Sequence, residues 1–344
     1  MGETYAAAGV SIDAGDDAVR RIKPHVATTV RPEVIGGIGG FGGLFALDVA
    51  KYRHPVLVST TDGVGTKIEV ARELGRLDTV GVDLVAMCVD DLICVGAEPL
   101  FFLDYMAVGA LDPLSAEQVV AGIAAGCRSA GCALVGGEMA EHPGVMAADQ
   151  FDLAGFAVGV VERDEMLDGS RVRAGDVLIG LESPGLRSNG YSLARRLMFD
   201  VAGRSLADPC WDEAGAPTVG DELLRPSVIY AAAVQHLLRA GWVHALAHIT
   251  GGGIPGNLPR VLGDGFDGVV VAGSWPIPRI FSELQRIGSV DDAEMRRTFN
   301  MGIGMIAAVA ESDATSVIDS LAASGVGAHR IGVVDAGAGS VRYA

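Results

Sequence analysis

The stretch that decides the fold of this chain is Ser59-Thr60-Thr61-Asp62-Gly63-Val64-Gly65-Thr66-Lys67. An apolar run ending in Val56-Leu57-Val58 precedes it, and the apolar spacing after it (Ile68, Val70, Ala71, Leu74) is typical of a helix. The pattern therefore predicts a strand, a glycine-rich turn and a helix in succession, with Lys67 exposed at the start of the helix.

The residue types in this turn suit a nucleotide. Gly63 and Gly65 let backbone amides approach a ligand, and the Asp62 carboxylate suits a hard cation such as Mg²⁺. The Lys67 ammonium opposes the helix dipole at a helix start, and a bound phosphate would offset that repulsion. The alternative is a glycine-rich surface turn with a solvated lysine, and this short stretch leaves both interpretations open.

Length and composition indicate a soluble protein of two domains. The 344 residues are 49% apolar and 20% charged, which is enough for two hydrophobic cores. No run approaches the roughly 18 apolar residues that a membrane helix needs. Residues 1–5 lack the basic and apolar regions of a signal peptide. We therefore expect a cytoplasmic protein without a membrane segment.

Charge and cysteine content argue against several classes of protein. The net charge of −17 argues against a nucleic-acid surface. The five cysteines include no Cys-x-x-Cys pair, which favours buried free thiols over a zinc site or a disulfide framework. None of the three lysines has the Gly-Lys-Ser/Thr context of a Walker A motif. Because arginine supplies most cations here, Lys67 indicates a position that needs a compact ammonium.

A glycine-rich segment at 36–43 follows a predicted helix that opens near Asp16-Asp17 and carries Lys23. The segment contains Gly37-x-Gly39-x-x-Gly42, the spacing of the dinucleotide fingerprint. That fingerprint requires a buried strand before it, and Arg31-Pro32-Glu33 stands there instead. We interpret residues 36–43 as a mobile flap over a ligand.

Residues 79–96 form an almost entirely apolar helical pattern that contains Asp83, Asp90 and Asp91. Buried carboxylates are costly unless they are paired or bind a metal. Adjacent residues on a helix point about 100° apart, so Asp90 and Asp91 cannot both face one ion. We expect one of them to be functional and the other to be a capping or solvated carboxylate.

The rest of the chain alternates strands and helices, which is typical of α/β domains. A short charged break at 162–175 is the predicted domain boundary. Strands are predicted near 100–103, 132–135, 156–161, 177–181, 244–248, 268–272, 303–309 and 330–334, with helices at 115–130 and 227–239 and another that Ser188 or Asn189 caps. Glu138 and His248 both lie at predicted strand ends.

Four strand ends run into glycines and a polar residue, at 62–67, 136–138, 188–190 and 248–253. With their flanking segments they resemble the phosphoribosylformylglycinamidine cyclo-ligase family, also called aminoimidazole ribonucleotide synthetase. The resemblance extends from Tyr5 to about Val334. It rests on the segments 8–15, 31–37, 61–67, 81–88, 96–105 and 248–253, which occur in the family's order. Together these segments are highly specific.

The resemblance implies an α/β N-terminal domain at 1–165, whose strands complete a barrel across a homodimer, and an α/β C-terminal domain at 166–344. It implies ATP-dependent ring closure of formylglycinamidine ribonucleotide to 5-aminoimidazole ribonucleotide, with release of ADP and phosphate, in de novo purine biosynthesis. ATP and Mg²⁺ are the implied cofactors. The expected partners are a small-molecule substrate and a second copy of the chain, with no nucleic acid and no membrane.

By the same resemblance, Asp62 and Asp91 hold Mg²⁺, and from the chemistry of their side chains we expect Lys67 and His248 to act in catalysis. The predicted ATP-binding residues are Lys23, Gly63, Val64, Gly65, Thr66, Lys67, Asp90 and Glu138, and the predicted substrate-binding residues are Arg187, Ser188, Asn189, Gly190, Thr250, Gly251, Gly252 and Asn300. The chain departs from the family pattern at Met139 and at His142-Pro143-Gly144-Val145. It also departs at Arg187, which stands where a histidine commonly precedes Ser-Asn-Gly. We expect Arg187 to hold the ribose 5′-phosphate.

Several alternatives stay open. Glu138 could bind a metal or the ribose, or it could only cap a helix. His248 could transfer the proton of ring closure, or it could be a core histidine. Thiamine-phosphate kinase and selenophosphate synthetase are related activities, although the flap lacks the cysteine expected for the latter. A nucleotide-binding scaffold without turnover is the remaining alternative.

Overall fold

The computed structural model describes residues 4–344, which form a mixed α/β protein with two compact units. The first unit comprises the described residues up to Leu92 together with Glu98–Arg163, and the second comprises Ile93–Ala97 and Asp164–Ala344. Residues 1–3, part of the segment used to argue against a signal peptide, lie outside the described residues. None of the helices in residues 4–344 has the length and hydropathy that a membrane crossing needs.

The first unit forms the strand, turn and helix that the stretch Ser59–Lys67 predicts. Its helices are α1 (Ile12–Ala27), α2 (Lys67–Leu74), α3 (Asp78–Cys94) and α4 (Pro113–Ala130), and its strands are β1 (Val34–Ile35), β2 (Leu44–Phe45), β3 (Pro55–Gly63), β4 (Glu98–Val108), β5 (Ala133–Glu141) and β6 (Phe151–Glu162). Short polar side chains define two helix starts, because Ser11 accepts a hydrogen bond from Ala14 N and Asp112 accepts one from Ser115 N.

The sheet of the first unit has the strand order β3-β6-β4-β5. Strands β4 and β5 are parallel, and the other neighbours are antiparallel. Helix α3 packs on one face, where Gly155 lies directly against Cys88 and Leu84. On the opposite face Leu57 and Phe156 are 63% and 45% exposed. Helices therefore cover one face, while the other presents apolar side chains to solvent.

The register of this sheet aligns four residues in one row. Asp62 pairs with Gly155, Gly155 with Asp104, and Asp104 with Gly137. Neighbours in such a row point to the same face of a sheet, here the face that α3 covers. Because neighbouring strands lie about 4.8 Å apart, Asp62 and Asp104 are separated by roughly 10 Å along the row.

The glycine-rich segment 36–43 is irregular, as predicted, and forms the loop of a small hairpin in which β1 and β2 pair antiparallel. Strands of two residues carry too little pattern to be predicted, so the hairpin itself was not expected. The loop ends against β5, since a Cβ on Gly43 would lie 2.7 Å from a methyl group of Val135. A glycine at position 43 therefore permits this close approach.

The second unit is built on a six-stranded sheet. Its strands are β7 (Val177–Glu182), β8 (Val243–His248), β9 (Phe266–Val270), β10 (Ile303–Val309), β11 (Ala328–Ala336) and β12 (Val341–Tyr343), and its helices are α5 (Tyr191–Arg195), α6 (Val219–Leu223), α7 (Ala231–Arg239), α8 (Gly253–Asn257), α9 (Pro259–Leu262), α10 (Arg279–Gly288), α11 (Asp292–Thr298) and α12 (Ala314–Ala323). The strand order is β12-β9-β11-β7-β10-β8, and only β12 and β9 are parallel neighbours. Leu178, Ile306 and Ile331 are among its buried core residues.

Some predicted details are wrong. Neither Ser188 nor Asn189 caps α5, because Gly190, with a φ of 77°, occupies the N-cap position. Glu138 does not end a strand, because β5 continues to Glu141. In both large sheets most neighbouring strands are antiparallel. In the described chain both large sheets are open, and neither closes into a barrel by itself.

Candidate functional site

The turn after β3 exposes backbone groups and also one carboxylate to solvent. Asp62 is exposed, and its Oδ1 accepts a hydrogen bond from Gly63 N at 2.7 Å. Val64 is fully buried and anchors the turn, whereas Gly65 and Thr66 are exposed. Thr66 is the N-cap residue of α2, and its side chain makes no capping bond. The turn thus places a carboxylate beside a helix N-terminus, an arrangement that suits phosphate groups accompanied by a cation.

Lys67 points into the protein and not toward solvent. It is fully buried, and its Nζ lies 2.5 Å from Oδ2 of Asp83, which is also fully buried. The prediction of an exposed lysine at the helix start is therefore wrong. The sequence predicted that a bound phosphate would offset the ammonium charge of Lys67, but the Asp83 carboxylate of α3 offsets it instead. The ion pair joins the start of α2 to α3 and so fixes one end of the glycine turn.

The two adjacent carboxylates of α3 differ in exposure. Asp90 is fully buried and Asp91 is half-buried, so Asp91 is the one with surface available to a ligand. Asp90, which was predicted to contact ATP, is therefore not the capping or solvated carboxylate that the sequence suggested, because it is buried in the interior of α3. Burial raises the pKa of the Cys88 thiol, and the negative charges of Asp62 and, to a smaller extent, Asp91 raise it further. Both carboxylates therefore lie near this one side chain.

Asp62 and Asp91 fit a metal ion that arrives with a nucleotide. Across residues 4–344, no group of three His, Cys, Asp or Glu side chains is arranged to hold a metal ion. Magnesium in phosphate-binding enzymes commonly uses one or two carboxylates, with substrate phosphates and water completing its shell. The available donors suit that arrangement and do not suit a permanently bound structural metal.

A cavity of about 410 Å³ lies beneath the glycine-rich loop, lined by residues 37–43 together with parts of α1, α4 and β5. Its lining is mostly glycine and apolar side chains, and it includes two carboxylates, Asp104 and Glu138. Lys23 is exposed on α1 and is not one of the lining residues. A cavity with apolar walls and a few polar groups is typical of a small-molecule site.

Asp104 is the residue of this cavity that the sequence analysis missed. It occupies a buried position of β4 in line with Phe102 and Met106. Burial raises the pKa of its carboxyl to about 7. The signal that could have found it is a carboxylate at a place where strand alternation calls for an apolar side chain.

In the second unit, Arg187 and His248 form a buried pair near the ends of β7 and β8. Arg187 Nη1 donates to Val228 O at 2.8 Å, and its guanidinium lies 5.0 Å from the centroid of the Tyr230 ring. Arg187 Nη2 lies 3.1 Å from His248 Nε2. Because a guanidinium can only donate, Nε2 is the acceptor, and the neutral imidazole carries its hydrogen on Nδ1.

The structure brings two of the predicted substrate-binding segments together. Arg187 has a φ of 63°, which is uncommon for a residue with a side chain and marks a strained position. Gly190 packs so closely that a Cβ there would lie 2.4 Å from the Phe299 ring. A Cβ on Gly251 would lie 3.9 Å from Asn189 Nδ2, so the segments 187–190 and 250–252 are neighbours.

Asn300 and Asn257 support these glycine turns. The Asn300 amide donates to Gly185 O at 2.9 Å and accepts from Gly302 N at 2.7 Å. Asn257 Nδ2 donates to Gly253 O at 2.9 Å. Asn300, predicted to bind substrate, is thus a buried residue engaged with backbone groups. Asn257 has the same role and carried no signal in the sequence, because its partners become neighbours only when the turn forms.

Comparisons with known proteins give a consistent result along the chain. The family described as AIR synthase related protein matches it twice, with the N-terminal domain at residues 48–161 and the C-terminal domain at 173–344. The chain is 56% identical over 337 residues to a phosphoribosylformylglycinamidine cyclo-ligase of Anaeromyxobacter dehalogenans, covering 98% of this chain and 97% of the relative. It is 51% identical over 343 residues to the protein of the same name from Desulfitobacterium hafniense, covering 100% of each.

Solved structures with this fold include a thiamine-monophosphate kinase from Stenotrophomonas maltophilia, with a TM-score of 0.70, 21% identity and 95% of each chain covered. The hydrogenase maturation protein HypE in complex with ATP has a TM-score of 0.65 and 20% identity, with 94% of this chain and 90% of that chain covered. At this level of identity the likeness concerns the fold alone.

Proposed function

The chain belongs to the phosphoribosylformylglycinamidine cyclo-ligase family, and we propose that the turn after β3 in its first unit binds the phosphates of ATP. The protein is a ligase that closes the imidazole ring of 5-aminoimidazole ribonucleotide in purine biosynthesis, with formylglycinamidine ribonucleotide and ATP as substrates. The observation that carries this function is 56% identity to a relative of that name over 98% of the chain.

The reaction requires the formyl oxygen to become a leaving group. The γ-phosphoryl group of ATP passes to that oxygen, and an amidine nitrogen of the same substrate attacks the carbon. The oxygen then departs as phosphate, so one C–N bond replaces one C–O bond and ADP is the other product. Such a reaction needs little covalent work from the protein, and positioning and charge stabilisation supply most of the catalysis.

The first unit supplies groups for the nucleotide. We assign the backbone of residues 63–66 to the phosphates, and Asp62 and Asp91 to Mg²⁺. When bound, Mg²⁺ offsets the charge of the phosphate oxygens. Glu138, exposed on β5 at the edge of the cavity, is assigned to the ribose hydroxyls. Lys23 is assigned to ATP as an exposed cation on α1, the helix that forms one wall of that cavity.

Lys67 acts, in this proposal, as a positioning residue. Its ammonium is fully buried against Asp83, so its effect on ATP passes through the backbone. By fixing the first residue of α2 relative to α3, the pair aligns the amides of the glycine turn. An aligned set of amides stabilises developing charge on a phosphoryl group without reorganising during the reaction.

The second unit supplies the proposed contacts to the ribonucleotide. The residues assigned to it are Arg187, Ser188, Asn189, Gly190, Thr250, Gly251 and Gly252. The closeness of Asn189 to Gly251 supports this grouping. His248 remains the proposed proton-transfer residue of this cluster, and its hydrogen bond from Arg187 fixes the orientation of the imidazole ring.

We also propose a cytoplasmic homodimer. The exposed apolar face of the first sheet, which includes Leu57 and Phe156, is the kind of surface that a second copy covers. Reduced cysteines, such as the buried Cys88, suit a reducing compartment. Sedimentation at micromolar concentration should give twice the mass of the chain, and a purely monomeric species would contradict the dimer.

The experiment that tests the function is ADP release after addition of formylglycinamidine ribonucleotide to the protein with ATP and Mg²⁺. Aminoimidazole ribonucleotide should form in equal amount. Thiamine phosphate, the substrate class of the kinase with this fold, should give no ADP above background. ADP release with thiamine phosphate and none with the ribonucleotide would reverse the conclusion.

The variant Asp62→Asn sharpens this test because it keeps the size of the side chain and removes its charge. Loss of one group that stabilises a transferring phosphoryl group costs about 10²–10³-fold in turnover. Asp48→Asn is a suitable control, since Asp48 is a carboxylate of the same unit that caps the short helical turn at 49–51 by accepting a hydrogen bond from Ala50 N. Equal turnover by both variants would remove Asp62 from the proposed metal site.

A further inference from the structure

The cavity beneath the glycine-rich loop has the composition of a site for a flat ring with one polar edge. Its volume is about 410 Å³, and apart from Asp104 and Glu138 its walls are formed mainly by glycines and apolar side chains. Sites that bury a heteroaromatic ring typically combine apolar walls with a few fixed polar groups. Glu138 is exposed, so Asp104 is the buried polar group of this cavity.

The Asp104 carboxyl is both buried and able to donate. Its residue is 7% exposed, and burial raises its pKa to about 7, with no cation of the described chain among the causes. Near neutral pH a large fraction of such carboxyls is protonated. A protonated carboxyl offers one O–H donor beside one carbonyl acceptor.

Gly137 keeps this carboxyl accessible from the cavity. The two residues pair directly across β4 and β5. A Cβ on residue 137 would lie 2.5 Å from Asp104 Oδ1, which is too close for any side chain. The missing side chain therefore leaves open the space in front of the carboxyl.

The register of the sheet relates this cavity to the phosphate site of the same unit. Asp62, Gly155 and Asp104 lie in one row and point to one face. Two strand spacings separate the carboxylates, or roughly 10 Å. A ribose with a triphosphate chain is long enough for this separation, although side chains of α3 fill the space over Gly155 between the two carboxylates.

We propose that Asp104 reads the base of the nucleotide, donating a hydrogen bond to a ring nitrogen of adenine and accepting one from the adjacent 6-amino group. This inference rests on the proposed ATP site. Adenine carries an amino donor beside a ring-nitrogen acceptor, and the neutral carboxyl presents the complementary pair. A nucleotide without the 6-amino group leaves the Asp104 acceptor without a partner in a buried place, which lowers its affinity.

The test compares ATP with purine riboside 5′-triphosphate, which lacks the 6-amino group, by calorimetric titration of the full chain in the presence of Mg²⁺. The wild type should bind ATP on the order of tenfold more tightly. Asp104→Asn should keep this preference, because its amide also offers one donor and one acceptor. Asp104→Leu, which offers neither, should bind the two nucleotides within about twofold of each other, since the discriminating hydrogen bond is lost.

The outcome does not depend on the leucine variant folding. Equal affinity of the wild type for both nucleotides overturns the proposal by itself, and so does a wild-type preference in a folded Asp104→Leu protein, as judged by near-ultraviolet circular dichroism. ADP release with formylglycinamidine ribonucleotide is measured in parallel. Turnover without base preference rejects the role of Asp104 alone, whereas base preference without turnover rejects the proposed reaction and leaves Asp104 in place.

Discussion

Asp83 and Asp104 are two buried carboxylates of the same unit that the protein accommodates in opposite ways. Asp83, on α3, is fully buried beside the ammonium of Lys67. Asp104, on β4, faces a cavity, and burial raises the pKa of its carboxyl to about 7. The first is a charge paired within the protein, and the second is a carboxyl able to become neutral. The difference separates a carboxylate that holds the fold from one that is available to a ligand.

The physical basis of this difference is the cost of removing a charge from water. A buried ion needs a partner of opposite charge, or it shifts its pKa and becomes neutral. Lys67 provides the partner for Asp83, and the pair in turn connects α2 with α3. Within residues 4–344 no cation lowers the pKa of Asp104, and burial raises it to about 7 instead. Both carboxylates look alike in the sequence, as acidic residues within apolar patterns.

The largest expected effect concerns the paired carboxylate. Lys67→Met removes the ammonium and leaves the buried Asp83 without its ion-pair partner. Breaking a buried pair from one side typically costs about 3–5 kcal/mol in the free energy of unfolding. Urea denaturation at pH 7, followed by circular dichroism, measures this change.

The matched control for this variant is Lys51→Met, because Lys51 pairs with Glu98 at 2.6 Å but is 53% exposed. An exposed pair contributes about 0–1 kcal/mol. Equal losses in the two variants would show that burial does not distinguish the Lys67 pair, and the contrast between Asp83 and Asp104 would fail.

The second prediction concerns Asp104 and pH. In the folded protein burial raises the pKa of this carboxyl to about 7, well above that of a free aspartate. Folding therefore favours the protonated form, and the contribution of Asp104 to stability declines as the pH rises from about 4 to 7 and stays low above that. Asp104→Asn cannot ionise, so it should be more stable than the wild type at pH 8 and about equally stable near pH 4.

The size of this effect follows from the shift. Each pKa unit corresponds to about 1.4 kcal/mol, and solvent in the cavity reduces the full amount, so we expect on the order of 2–3 kcal/mol at pH 8. Glu138 on β5 lines the same cavity, Cys127 on α4 lies within electrostatic range of Asp104, and the cavity-lining residues of α1 are not ionisable. Denaturation at both pH values tests the prediction, and a difference between the proteins that does not change with pH would contradict it.

The parts of the fold that sequence alone predicted are those with strong local periodicity. Helices α3 and α4 were predicted almost to their ends, because long apolar patterns leave little choice. The two-residue strands β1 and β2 and the three-residue β12 carry too few residues for a pattern. Strand direction was not predicted, because antiparallel pairing in the second unit joins strands that are distant in the sequence.

The sequence predicted the exposure of the turn after β3 better than the burial of its individual side chains. Asp62 and the glycine turn have the exposure expected of a ligand site. The burial of Lys67 could not be read from its neighbours, because the partner that makes it possible lies on the next helix. The sequence could have shown that Asp104 is a carboxylate within an apolar strand. It could not have shown that this carboxylate faces a cavity, because the cavity depends on the close approach of Gly137.

A third, smaller effect is expected at Gly137. In Gly137→Ala the new Cβ would lie 2.5 Å from Asp104 Oδ1 and 2.9 Å from Asp104 O, so the carboxyl and the strand must both move. Overpacking of this kind costs about 1–3 kcal/mol, and the displaced carboxyl should also lose its preference for ATP over purine riboside triphosphate. Calorimetric titration and urea denaturation measure the two changes.

Gly136→Ala is the control for this variant. A Cβ on residue 136 meets nothing closer than 3.7 Å, an ordinary contact with Leu103. It should therefore keep wild-type stability, and because its methyl group does not meet Asp104 it should also keep the preference for ATP over purine riboside triphosphate, although Gly136 lines the same cavity. If Gly137→Ala behaves like Gly136→Ala, the open space before Asp104 has no role in binding.

The smallest effect on stability is expected when both members of the buried pair are replaced. Lys67→Met with Asp83→Leu removes both charges and substitutes apolar side chains. Replacing a whole buried ion pair by apolar residues is often neutral or stabilising, so the double variant should unfold within about 1 kcal/mol of the wild type, far from Lys67→Met alone. A double variant as unstable as the single variant would mean that the unpaired charge of Asp83 does not account for the loss of stability in Lys67→Met.

The same double variant separates the two roles that Lys67 can have in catalysis. If Lys67 acts by fixing the glycine turn, apolar packing between α2 and α3 should largely replace it, and ADP formation with formylglycinamidine ribonucleotide should stay within about tenfold of the wild type. If the ammonium instead contacts the transferring phosphoryl group, turnover should fall by about 10²–10³-fold in a protein that is still stable. Because the double variant keeps its fold, a loss of that size could not be attributed to unfolding, and Lys67 would then be a catalytic residue despite its burial beside Asp83.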